Sequence, residues 1–142
     1  MAGPPPLSQL NVVVTDMTAS LSFYARLGWE ITRAGDDHAV AHFANGLSVE
    51  FDTVDFVPMW DSGYRGDTGG STVLGVSVPR RDEVDELYAE LIASGRVSRQ
   101  PPYDAFWGSR YAIVEDPDGN PVGMMSPSDD EHRTWPPTTP PS

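Results

Sequence analysis

A chain whose second half repeats its first must fold as two copies of one unit, and this sequence repeats. Displaced by 64 positions, LNVVVTD falls on LGVSVPR, so Leu10, Val12 and Val14 match Leu74, Val76 and Val78. The same displacement sets Phe23-Tyr24-Ala25 on Leu87-Tyr88-Ala89 and Leu27 on Leu91. A fixed internal period marks a duplicated supersecondary unit. Apolar alternation at the head of each half predicts a strand, and the segment that follows carries helical spacing.

The first helix takes Asp16 and Thr18 as start signals and stops at Gly28, with Leu21, Tyr24 and Leu27 on one face. The second begins near Asp82 and ends at Gly95, with Val84, Leu87, Tyr88 and Leu91 spaced for burial. Asn45-Gly46, between HFA and LSVEF, is a strong hairpin signal. A second hairpin lies in IVEDPDGNPVGMMSP. Its three carboxylates around a glycine raise the question of a calcium loop. Such a loop closes on a glutamate about eleven residues after its first aspartate. Counting from Asp116 reaches Pro127, and Pro117 and Pro121 stiffen the segment. It is therefore read as a turn between Tyr111–Val114 and Val122–Met125.

These elements give an α+β chain of two βαβββ units, at about 7–53 and 71–127, with a linker at about 54–70. Together they are expected to form one domain over residues 1–127. The segment 128–142 after Pro127, SDDEHRTWPPTTPPS, is polar and proline-rich and is expected to lie outside the fold as a flexible tail.

Composition narrows function. The formal net charge is −12, and all nine basic residues are arginine. An acidic surface repels phosphate backbones, which argues against nucleic acid as a partner, and it speeds encounter with cations. No run of about 18 apolar residues predicts a membrane span. The N-terminus MAGPPPLSQL lacks a basic region followed by an apolar stretch, so a cytoplasmic location is the default expectation. With no cysteine, thiolate metal sites and cysteine nucleophiles are excluded.

The paired βαβββ units, the opening VVVTDMTASLSFYARLGW and the closing DPDGNPVGMMSP resemble the vicinal oxygen chelate superfamily, which includes glyoxalase I, extradiol dioxygenases and bleomycin-resistance proteins. The resemblance covers roughly residues 7–127. It implies a curved mixed sheet around a cavity, with the helices on the outer face and the ligand on the concave one. It also implies a homodimer. Metal-bearing members resembling glyoxalase I place four ligands at spots that correspond here to Gln9, Val73, Glu50 and Gly123. Valine and glycine offer no side-chain donor, and two ligands fall short of a catalytic site, so no metal or other cofactor is expected. The Trp107-Gly108-Ser109-Arg110 segment is similar to one in the bleomycin-resistance branch.

Strand parity then assigns faces. Gln9, Asn11 and Val13 fall to the cavity, as do Val73, Gly75 and Ser77 by the repeat. A two-residue Asn45-Gly46 turn would pair Phe43 with Ser48, His42 with Val49 and Ala41 with Glu50. Glu50 would then share its face with Ala39, Ala41, Phe43 and Ser48, and His42 would lie opposite with Val40, Val49 and Phe51. Matching Val49-Glu50-Phe51 to Val122-Gly123-Met124 sends Pro121, Gly123 and Met125 to the cavity. His38 and His42, about 13 Å apart along a strand at roughly 3.3 Å per residue, are too distant to share an ion. Loop aromatics Phe56, Trp60, Tyr64, Tyr103 and Trp107, with Arg110, complete the expected ligand-binding set of Gln9, Asn11, Phe43, Glu50 and Met125. The function expected is metal-independent sequestration of a bulky aromatic natural product, cationic ones included, giving antibiotic resistance. The alternative is a glyoxalase- or dioxygenase-like enzyme that uses Glu50, with or without a divalent metal.

Overall fold

A computed structural model describes residues 4, 6–69, 72–137 and 140–142. Gly70 and Ser71, at the expected boundary between linker and second unit, and Thr138 and Thr139 of the tail lie outside the described residues. The chain divides into two compact units, Met1–Gly70 and Ser71–Ser142, each a four-stranded mixed sheet with one helix. The α+β class and the duplicated βαβββ order hold.

In the first unit, β1 (Gln9–Val14) leads into α1 (Met17–Arg26), then β2 (Ile31–Ala34), β3 (His38–His42) and β4 (Ser48–Thr53), in the order β1-β4-β3-β2. Asp16 caps α1 by accepting the Ala19 amide at 3.0 Å, and Gly28 ends it at φ +87°, where a side chain would be strained. The buried stripe of α1 is Met17, Ser20, Phe23 and Tyr24, rotated from the expected Leu21, Tyr24 and Leu27. Ser20 supplies a small residue there, and the aromatic pair carries the packing. Tyr24 stacks on Trp29 at 4.7 Å and meets Phe51 at 5.0 Å, and Phe43 meets Trp29 edge-on at 5.0 Å. Val12, Val14, Ala39, Ala41, Val49 and Phe51 complete this core.

The second unit repeats the plan with β5 (Leu74–Ser77), α2 (Arg81–Ala93), β6 (Val97–Asp104), β7 (Arg110–Glu115) and β8 (Pro121–Met125), in the order β5-β8-β7-β6. Val84 and Leu91 of α2 are buried, as are Ala112, Val114, Val122 and Met124 on alternate strand positions. The Asp116–Asn120 segment is the turn expected. Asp116 accepts the backbone amides of Asp118 and Asn120 at 2.9 and 2.8 Å, and Gly119 takes φ +83°.

The chain after Pro127 does not leave the fold at once. Asp130–His132 form a short 3₁₀ turn, Asp129 and Thr134 donate backbone hydrogen bonds to Gly108 and Phe106, and Arg133 bridges to Trp107. A polar, proline-rich composition reports poor core-forming capacity, and these contacts use backbone groups that composition does not reveal.

Candidate functional site

Each sheet has a face turned away from its own helix, and the register says which residues it presents. In the first unit β3 and β4 pair Val40 with Glu50, His38 with Asp52 and His42 with Ser48. Parallel pairing of β1 with β4 adds Gln9, Asn11 and Val13. The expected register was therefore one residue out. The amide of Phe43 donates to Leu47 and that of Gly46 to Phe43, which makes a three-residue loop in which only Gly46 has positive φ, at +89°. A two-residue turn of the expected kind needs positive φ at both central residues. One position of slip reverses every side chain. Ala39, Ala41 and Phe43 thus belong to the α1 core, away from Glu50, while His38, Val40 and His42 share the face of Glu50.

A continuous polar chain runs across that face. Gln9 donates to Asn11 (2.9 Å), Asn11 donates to Asp52 Oδ2 (2.9 Å), and His38 Nδ1 donates to Asp52 Oδ1 (2.7 Å). Nε2 of the same imidazole lies 3.5 Å from Glu50 Oε1, outside good hydrogen-bond range. Asp52 is the buried anchor, 1% exposed. The His38 and Glu50 side chains keep 29% and 23% of their surface. Phe56 approaches His38 with ring centroids 6.2 Å apart. Of the expected residues, Gln9, Asn11, Glu50 and Phe56 gather here. Trp60 stands 52% exposed on the loop beyond β4, and Tyr64 donates its hydroxyl to the Asp67 carbonyl at 2.6 Å.

The second unit presents a different surface. Parallel pairing of β5 with β8 puts Gly75 beside Gly123 and Ser77 beside Met125. Across β7, Tyr111 pairs with Met125 and Ile113 with Gly123, and Tyr103 pairs with Tyr111. Trp107 donates its indole N–H to the Met125 sulfur at 3.3 Å and meets Tyr111 edge-on at 5.3 Å. Tyr103 lies 6.3 Å from Tyr111. Burial pushes the phenol of Tyr103 above its ordinary range, and it does the same to Tyr111, reinforced by Tyr103. Tyr103, Trp107 and Met125 are thus brought together around Tyr111. Arg110 is not part of the group. It bonds Asp85 of α2 at 3.0 Å and Asp104 at 3.3 Å, on the helix side.

Gly123 explains the position of Tyr111. A Cβ there would lie 2.6 Å from the Tyr111 hydroxyl and 3.0 Å from two of its ring carbons. Gly123 holds in its unit the place that Glu50 holds in the other: each pairs with the residue that follows Leu10 or its repeat equivalent Leu74, namely Asn11 or Gly75. The superfamily's metal set would need a carboxylate there, and a tyrosine ring fills the space it would require. Val73, 47% exposed, has no donor either. Among the described residues no three His, Asp or Glu side chains group as a metal centre would require. The residues present do not fit the metal of the metal-bearing members.

Two of the residues that shape the faces, Asp52 and Tyr111, were missed in the sequence. Parity alone would have flagged Tyr111, which alternates with the core residue Ala112. Asp52 shares the parity of Glu50 on β4, and what the register slip hid was its partner, His38. A separate hollow of about 620 Å³ beside the start of α2 is lined by Arg80, Arg81, Asp82 and Asp129. Its cations are already engaged, Arg80 with Asp82 at 2.6 Å and Arg81 with Asp104. It lies outside the aromatic group and carries no convergent chemistry.

Two mixed sheets, each with its helix, define a duplicated βαβββ scaffold. The sequence profile of the Glyoxalase/Bleomycin resistance protein/Dioxygenase superfamily matches residues 7–124, and the chain belongs to that superfamily. Among solved structures, a glyoxalase-related enzyme from Fulvimarina pelagi is 24% identical with a TM-score of 0.76, over 86% of this chain and 88% of that one. A glyoxalase/bleomycin resistance protein/dioxygenase from Nocardioides is 20% identical (TM-score 0.71, 92% and 88% covered). Lactoylglutathione lyase from Agrobacterium tumefaciens is 16% identical (TM-score 0.66, 88% and 96% covered). At these identities the likeness establishes the fold alone. No functionally curated protein matches the chain.

Proposed function

We propose that this chain is a metal-independent binding protein for a bulky, flat aromatic small molecule, cationic ones included, whose sequestration protects against that molecule. The observation that carries the reading is the Tyr111 ring lying over Gly123, with Trp107, Tyr103 and Met125 beside it. Half-buried rings and the exposed thioether of Met125 offer flat, polarisable surface for stacking. Phenols are protonated at neutral pH and burial shifts both of these further from ionisation, so they present hydroxyl donors and no negative charge. The net charge of −12 favours encounter with cations over anions.

The test is tryptophan emission across a panel of planar antibiotics. Sequestration calls for a dissociation constant near or below about 1 μM, equivalent to about −8 kcal/mol. Saturable quenching that disappears in Trp107→Ala is expected. Absence of any response, or quenching equal in wild type and Trp107→Ala, would contradict the assignment.

A further inference from the structure

We infer that His38, oriented by Asp52, is a metal-free proton-transfer base on the presented face of the first unit, suited to abstracting a proton from a flat, weakly acidic carbon acid seated against Phe56. The inference goes beyond the binding function and does not rest on it, because it uses residues of the other unit and another class of probe.

Three observations carry it. First, His38 Nδ1–H donates to Asp52 at 2.7 Å, and that carboxylate is 1% exposed and is fixed from its other oxygen by Asn11 at 2.9 Å. A buried acceptor of this kind sets the tautomer, leaving the Nε2 lone pair as the working atom. Second, Nε2 is turned to the presented face, 3.5 Å from Glu50, with about 29% of the His38 side chain exposed. Third, Phe56 and Val40 flank the imidazole with apolar surface, where a flat molecule can lie with a C–H aimed at Nε2. Asp52 acts here as a positioning residue.

Nitrobenzisoxazole is the probe. Nε2 takes the proton from its ring carbon, and the C–H electron pair becomes part of a nitrile. The N–O bond breaks onto the phenolate oxygen, and the imidazolium returns its proton to water. No oxidant, reductant or metal enters the balance.

The full chain should convert the probe faster than the same concentration of free imidazole, and dialysis against a chelator should leave the rate unchanged. His38→Ala should lower kcat/KM by about 100-fold or more, the range of positioned general bases. Added imidazole should restore part of the loss, which a purely structural histidine would not allow. Asp52→Asn should lower kcat with KM little changed. A wild-type rate no better than free imidazole overturns the inference. So does an unchanged rate in His38→Ala, a His38→Ala defect that imidazole does not relieve, loss of the rate on chelation, or abolition by Glu50→Gln while His38→Ala stays active.

Discussion

Gly123→Ala tests whether the Tyr111 ring occupies the space above β8. The new methyl would lie 2.6 Å from the hydroxyl and 3.0 Å from two ring carbons, so the ring must move. It is held by edge-on contact with Trp107 at 5.3 Å and by Tyr103 at 6.3 Å, aromatic pairs worth about 0.5–1.5 kcal/mol each. Overpacking of this sort costs about 1–3 kcal/mol. Against it stands the backbone: Gly123 is an ordinary strand residue without positive φ, where alanine gains about 0.5–1 kcal/mol over glycine. Overpacking outweighs the backbone gain over most of these ranges, leaving a net loss of up to about 2.5 kcal/mol. In a Tyr111→Ala background the obstacle is gone, and Gly123→Ala should be neutral or stabilising by up to about 1 kcal/mol. Urea denaturation of the four proteins, followed by circular dichroism, gives the double-mutant cycle. Equal effects of Gly123→Ala in both backgrounds, or stabilisation in the wild-type background, would refute the reasoning.

Asp52→Ala strands the Asn11 and His38 donors and should cost about 2–4 kcal/mol, roughly 1–2 for each, read by the same denaturation assay. Loss below about 0.5 kcal/mol would place Asp52 outside the polar chain. Arg110→Met should leave aromatic ligand binding intact in the quenching titration while Trp107→Ala abolishes it, since Arg110 bonds Asp85 and Asp104 on the helix side. Tyr103 and Tyr111 should ionise above ordinary tyrosine in an absorbance titration of phenolate, because burial raises both. The folded state then holds the protons longer than the unfolded chain. Their contribution to stability is complete below about pH 10, the unfolded tyrosine value, and falls as pH rises through the folded ones. Ionisation at or below pH 10 in the folded protein would contradict this.

The duplication was legible because it is a periodicity, and apolar spacing survives in single sequences. Leu10, Val12 and Val14 matching Leu74, Val76 and Val78 sufficed to place β1 and β5. The site was legible only where parity ran along one strand. Gln9 and Asn11 fell on their observed faces because nothing but alternation was needed, and Gly123 and Met125 because the repeat carried the same alternation into the second unit. Phe43 did not, because its face depends on whether the turn after it holds two residues or three, which Asn45-Gly46 leaves undecided. Arg110 was misplaced by its proximity in sequence to Trp107, since the glycine and serine between them carry the chain round a bend, with Gly108 at φ +99°. The pairing of Asp52 with His38 spans 14 residues and depended on that same register.

The central claim is that a tyrosine ring stands where a metal-bearing relative would place a carboxylate, so the site works without an ion. Metal quantification on protein purified without chelator, then dialysed against excess zinc, nickel, iron or manganese, tests it most directly. The account predicts far less than one ion per chain, and no change in that amount on Glu50→Gln. One tightly held ion per chain, released by Glu50→Gln, would contradict it.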